Sequence, residues 1–154
     1  MSDSLPADKN VDISEQFKVV SLSLLDDAGG TYSLKEAASI LNTNAENLQI
    51  RIDRGEILGM THKGKTVLPI LQFDHKDHCN IVTDGLKEVL DLFYHETKAG
   101  SWAALQFLAT RDETLRHYPI YVLKDRNEDD PNHAPAMKAA VVHAARTYLG
   151  LNQG

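Results

Sequence analysis

The sequence predicts a mainly α protein with one small β-hairpin: a head of short helices followed by a small helical domain. Apolar residues recur at helical spacing in segments from Ile13 onward. Capping and helix-breaking residues, among them Ser33, Asn44, Gly55, Pro119 and Gly150, fall at the edges of those segments. A single stretch, 57–68, has two short apolar runs around a glycine-containing tip, as a hairpin does.

Taken in order, residues 1–12 (MSDSLPADKNVD) are polar, contain Pro6 and lack an apolar period, so they are expected to form a mobile tail. From Ile13, the residues Phe17, Val20, Leu24 and Leu25 fit a first helix of about four turns, closed by the glycines of Asp26-Asp27-Ala28-Gly29-Gly30. Ser33 and Glu36 form a capping box, which opens a helix over 34–41 with Leu34, Ala37, Ala38 and Leu41 on one face. Asn42-Thr43-Asn44 makes a turn: Asn42 tolerates a left-handed backbone, and Asn44 caps a second helix over 45–54 that stops at Gly55.

In that second helix Leu48 and Ile52 lie one turn apart and are expected to pin it to Ala37, Ala38 and Leu41. Asn44, Glu46, Asn47, Gln49, Arg51, Asp53 and Arg54 then face outward, a set rich in groups that pair with base edges and phosphates. Ile50 also turns outward, where it suits a neighbouring helix or a thymine methyl. The alternation Leu48, Ile50, Ile52 also fits a strand, but the cap and Gly55 favour helix. Next, Ile57 to Thr61 and Thr66 to Leu68 flank His62-Lys63-Gly64-Lys65. A hairpin here is the wing of a winged helix-turn-helix, with Lys63 and Lys65 placed for phosphates.

The second half reads as helices. Thr83 or Asp84 caps a helix with Leu86, Val89, Leu90 and Phe93 as a buried stripe. Trp102, Leu105, Phe107 and Leu108 fill the next, with Ser101 as its cap. Pro119 starts a short helix to Lys124. An acidic loop, 125–133, precedes a slim, alanine-rich helix opened by Pro135 and carrying Met137, Val141, Ala144, Ala145 and Tyr148. The expected division is a tail over 1–12, a DNA-binding head over 13–74, a linker over 75–82, and a helical partner-binding or dimerisation domain over 83–154.

Charge restrains the functional reading. The chain carries −6 overall, which argues against broad affinity for nucleic acid. Residues 1–30 hold two basic and six acidic groups, 31–74 five of each, and 75–154 nine and eleven, so the head is the least acidic part. One cysteine excludes an internal disulfide, no signal-peptide layout opens the chain, and no apolar run approaches the roughly 20 residues of a membrane span. A cytoplasmic protein is expected.

Residues 31–74 resemble the winged helix-turn-helix heads of MerR-type and excisionase-type proteins. The resemblance rests on Tyr32-Ser33-Leu34, Glu36-Ala37-Ala38, Leu41-Asn42-Thr43 and Gly55-Glu56-Ile57, with Asn42 where those proteins commonly have Gly. Leu68 to Asp74, Val82 to Leu92 and Ser101-Trp102-Ala103-Ala104-Leu105-Gln106-Phe107-Leu108 resemble a narrower bacterial group. Its members join such a head to a helical domain similar to that of Xre/MbcA/ParS-type antitoxins. The group's usual Gly-Arg-Thr-Pro-Leu is His117-Tyr118-Pro119-Ile120 here.

The expected function is a sequence-specific transcriptional regulator. The resemblance implies an antitoxin-like autorepressor whose helical domain binds a cognate toxin. Candidate DNA contacts are Ser33, Asn44, Glu46, Asn47, Gln49, Ile50, Arg51, Arg54, Lys63 and Lys65. Candidate partner or dimer contacts are Phe17, Val20, Leu24, Trp102, Met137, Val141 and Tyr148. One head makes few base contacts, so a homodimer on double-stranded DNA is expected. The alternatives are an interaction module that no longer binds DNA, or a phage or excisionase-type regulator.

No enzyme and no cofactor are expected. G-x-S-x-G, Walker-type, H-E-x-x-H and GxGxxG signatures are missing from the sequence. His75-Lys76-Asp77-His78-Cys79 offers ligand types for zinc but not a full set of four. The acidic loop lacks the glycine and final glutamate of a calcium loop.

Overall fold

The computed structural model describes residues 30–76, 79–125, 127 and 129–151. The expected tail and first helix, with Phe17, Val20 and Leu24, lie outside them. The elements are β1 (Thr31–Ser33), α1 (Leu34–Ile40), α2 (Ala45–Asp53), β2 (Met60–His62), β3 (Lys65–Pro69), a 3₁₀ turn (Ile70–Gln72), β4 (Phe73–Lys76) and β5 (Cys79–Val82). They are followed by α3 (Leu86–Asp91), a π-helical turn (Leu92–Glu96), α4 (Gly100–Ala109), α5 (Pro119–Lys124) and α6 (His133–Tyr148). The protein is mainly α with small antiparallel sheets.

Local signals in the head fold as their chemistry dictates. The Ser33 N–H donates to Glu36 Oε1 at 2.9 Å and the Glu36 N–H donates to Ser33 Oγ at 3.1 Å, so the capping box closes in both directions. Asn42 is left-handed at φ 59°, and Asn44 Oδ1 accepts from the Asn47 N–H at 2.8 Å. Gly55 ends α2 at φ 75°, a conformation that suits a residue without Cβ. Positions 48–52 are helical, so the strand alternative fails.

The hairpin forms, with a tighter tip than expected. His62 pairs with Lys65, leaving Lys63 and Gly64 as the turn, both at positive φ (52° and 76°) as a two-residue I′ turn requires. β1 was not foreseen. It pairs with β3 from Thr31↔Pro69 to Ser33↔Val67, giving a sheet in the order β1-β3-β2 with β3 at its centre.

Residues 75–82, expected to be a linker, belong largely to a second antiparallel hairpin. β4 and β5 pair from Phe73↔Val82 to Lys76↔Cys79, so backbone groups that a linker would leave to water bond across strands. Thr83 does not cap α3. Its hydroxyl and its N–H both donate to the Gln72 carbonyl, at 2.7 and 2.8 Å, and Gly85 holds the N-cap position. The expected stripe Leu86, Val89, Leu90 and Phe93 is fully buried, but the helix passes into the π-helical turn at Leu92. Ser101 lies inside α4, whose N-cap is Ala99, and α6 begins two residues before Pro135.

Two apolar clusters meet at the base of the β2–β3 hairpin. Ala37, Ala38, Leu48, Ile52, Ile57 and Leu68 make the smaller one. Leu58, Met60 and Leu71 join the larger one with α3 to α6. Neighbouring Ile57 and Leu58 thus serve opposite cores. Between them sits Gln72, fully buried: its Nε2 donates to the Leu58 and Pro69 carbonyls (2.6 and 3.2 Å), and its Oε1 accepts from the Leu58 N–H (2.8 Å). A polar side chain tolerates such burial because both ends are satisfied.

Candidate nucleic-acid interface

With Leu48 (0% exposed) and Ile52 (8%) turned inward, a step of about 100° per residue puts Ile50 opposite the buried seam. Ile50 is 45% exposed at the apex of α2, flanked by the exposed Glu46, Asn47, Asp53 and Arg54. The helix is held proud by small partners, since the facing positions on α1 are the buried Ala37 and Ala38. Exposed Lys63 and Lys65 stand at the hairpin tip.

The structure separates the expected contact residues into groups. Glu46, Asn47, Ile50 and Arg54 share the open face. Ser33 and Asn44 are exposed, but their side-chain oxygens serve as helix caps. Arg51 is half-buried on the flank, with Nε 3.7 Å from Glu56 Oε1. Gln49 departs from expectation. It is half-buried, donates from Nε2 to Asp53 Oδ1 at 2.9 Å, and accepts from the Thr66 hydroxyl at 3.4 Å. Its side chain braces α2 against β3 because its helical position faces the hairpin.

The helical half touches α2 without covering its apex. Tyr94 and Ser101 line a cavity of about 280 Å³ with Gln49, Ile52 and Asp53. His95 Nε2 lies 3.0 Å from the Arg54 carbonyl and 3.6 Å from Asp91 Oδ1, and Arg146 binds Glu96 at 3.0 Å, so a chain of contacts runs from α6 to the end of α2. The Tyr94 hydroxyl is buried without a well-formed hydrogen bond, with Ser101 as its polar neighbour, and burial pushes its pKa up to about 12. Hydrogen bonds from the Ser33 backbone and hydroxyl hold the Glu36 carboxyl below its ordinary range.

The expected partner contacts fare differently. Val141 is fully buried and so is withdrawn from any surface. Trp102 and Met137 are half-buried against the larger core. Tyr148 is 47% exposed, but its ring packs on Phe93 and Phe107 with centroids at 6.1 and 5.3 Å. Among the described residues of the helical half, the exposed large apolar side chains besides Tyr148 are Tyr118 (41%) and Tyr121 (45%), which helical periodicity does not single out.

Among the described residues no group of three or more His, Cys, Asp or Glu is placed to hold an ion. His75 Nδ1 instead faces Asn80 Oδ1 at 3.1 Å across the β4–β5 pair, and Cys79 is exposed. Among the same residues no helix is long and apolar enough to cross a membrane. Compared with protein families, curated proteins and solved structures, the chain matches none.

Proposed function

We propose that residues 30–69 act as a winged helix-turn-helix of the MerR and excisionase kind and that the protein is a sequence-specific DNA-binding regulator. α2 enters the major groove, and the β2–β3 hairpin serves as the wing. The observation that carries this reading is the open face of α2, with Asn47, Ile50 and Arg54 presented away from a sealed Leu48/Ile52 seam. Asn pairs with adenine, Arg with guanine or phosphate, and an apolar side chain with a thymine methyl. Lys63 and Lys65 supply backbone contacts that fix register. The helical half binds a protein partner, as in an antitoxin-like autorepressor, and two heads engage one duplex as a homodimer.

Selection from a random duplex pool, followed by fluorescence anisotropy on the enriched sequence, tests the proposal. Asn47→Ala with Arg54→Ala should weaken binding at least tenfold and relax sequence preference. Lys63→Ala with Lys65→Ala should weaken all sequences alike and flatten the salt slope by about two phosphates' worth. Failure to enrich any sequence overturns the DNA reading.

One observation favours a second reading, an interaction module that does not bind DNA. The outer charges of α2 cancel, Glu46 and Asp53 against Arg51 and Arg54, and Arg51 already lies beside Glu56. Binding to any duplex that is insensitive to salt would support it.

A further inference from the structure

The loop from Asp112 to Tyr118 and the start of α5 carry a feature that DNA reading does not use. Asp112 organises the loop: its N–H donates to the His117 carbonyl (3.0 Å), its carbonyl accepts from the Arg116 N–H (2.7 Å), and its Oδ2 accepts from the Leu115 N–H (3.0 Å). These bonds hold Arg116 at φ 56°, a left-handed conformation that residues with a Cβ rarely adopt. The result is an exposed ledge of three rings. His117, Tyr118 and Tyr121 lie with every pair of centroids 5.9 Å apart.

Beside the ledge opens a cavity of about 720 Å³ between this loop, α5 and α6. Its lining includes the apolar Leu115, Val122 and Met137 and the cations Arg116 and Lys124. Asp125 is the acidic residue of the lining, and it lies 3.2 Å from His133 Nε2. In a chain of charge −6, the lining thus carries two cations against one carboxylate over an apolar floor, with Asp74 acting on Lys124 from outside it.

We propose that this ledge and cavity form the face on which a protein partner docks an acidic segment, seating one apolar side chain in the cavity. The inference rests on the partner-binding reading of the helical half and names the surface that performs it. Charge selects the occupant, because Arg116 and Lys124 repel a basic segment and complement an acidic one. Extent favours a macromolecule over a small ligand: Tyr118 stands outside the cavity lining, and its exposed ring is left uncovered by anything that fills the cavity alone. Ring geometry favours protein over nucleic acid. Tyr118 meets Tyr121 at 89°, His117 meets it at 42°, and Lys124 Nζ sits over the Tyr121 ring at 6.0 Å. Tyr121, though 45% exposed, thus carries Lys124 over its ring, whereas base stacking requires open ring faces. Exposed tyrosines and an arginine on a preorganised loop are the composition of an interface centre.

A phage-displayed random dodecapeptide library selected on the full-length protein tests this. Enriched peptides should be acidic around a single large apolar residue, and their binding should fall at least tenfold on Tyr121→Ala and on Arg116→Glu. Both side chains are exposed and outside the core, and thermal melts of the variants matching wild type establish that the fold is kept. Enrichment of basic or neutral peptides, no enrichment, or equal binding to the variants overturns the proposal. Equal binding to the variants leaves the partner reading intact and moves its surface elsewhere. Adenosine monophosphate or an oligothymidine that competes for the ledge, with loss on Arg116→Ala, replaces the protein occupant by a nucleic-acid one.

Discussion

Gln72→Met tests the junction between the two cores most directly. Methionine keeps the side chain's length and removes its polar atoms. The Leu58 N–H and carbonyl then lose the partners they hold at 2.8 and 2.6 Å, within a residue that is 0% exposed. Each buried backbone group left unpaired costs about 1–3 kcal/mol, and burying a thioether instead of an amide returns part of that. A net loss of about 3 kcal/mol is expected, which for a domain of this size lowers the melting temperature by roughly 10 °C. Urea unfolding followed by Trp102 fluorescence and by far-ultraviolet circular dichroism measures it. Gln72→Glu adds a signature. The introduced carboxyl is buried against two carbonyls, so it is tolerated only when protonated, and the deficit of that variant shrinks as pH falls. A loss below about 1 kcal/mol for Gln72→Met, on the same scale of penalties, refutes the assignment of Gln72 as the bridge.

Three further outcomes are expected. Ser33→Ala should cost about 1 kcal/mol by chemical denaturation. The cap bond it removes, from the Glu36 N–H to the Ser33 hydroxyl, does not titrate. The depressed folded-state pKa of Glu36 comes first from the Ser33 N–H and second from its hydroxyl, so its contribution is held above the ordinary carboxylate range and lost as pH falls. Ser33→Ala keeps the backbone bond and should make the acid limb only slightly shallower. Tyr94→Phe should be neutral or stabilising at pH 7. The buried phenol keeps its proton to about pH 12 when folded and to about pH 10 when unfolded, so wild-type stability should fall by about 2 kcal/mol across that interval, relative to the phenylalanine variant. Gly55→Ala should cost about 1–2 kcal/mol, since it forces a Cβ into left-handed backbone and brings it 3.1 Å from the Tyr94 ring; thermal melting checks it.

How far the sequence reveals this architecture depends on the range of each interaction. Ser33 with Glu36, Asn44 with Asn47, and Leu48 with Ile52 are separated by three or four residues, so spacing alone exposes them. The stripe at Leu86, Val89, Leu90 and Phe93 is legible for the same reason. β1 is three residues long and finds its partner more than thirty residues away, which leaves no local period to read. The β4–β5 pair carries no glycine between its strands, and its histidines and lysine look like polar linker. Gln72 reads as a solvated amide because only the fold brings the Leu58 backbone to it. Gln49 shows the limit of the helical wheel: the seam at Leu48 and Ile52 fixes which way it points but not that Thr66 waits there. The Tyr118 and Tyr121 ledge escapes notice because aromatic residues beside Pro119 look like core until the cavity next to them is seen.

The contacts behind α2 give the proposed regulator a mechanical property. The carbonyl of Arg54 meets His95, Gly55 lies under Tyr94 and His95, and Glu96 on the same π-helical turn meets Arg146 of α6. An α-helix that widens to π at this place has one residue too many for its ladder, a strained arrangement often found where a helix carries function. If these contacts are coupled, displacing α6 should loosen the backbone that ends α2. Under the proposed function, a partner on the helical half would then change how α2 is held without touching DNA. Hydrogen exchange provides the measure: amides of the last turn of α2 and of residues 92–96 should open with a common free energy in the wild type, and in His95→Ala the α2 amides should exchange faster while those of α1 do not change. Independent opening of the two segments in the wild type would show that no such link operates.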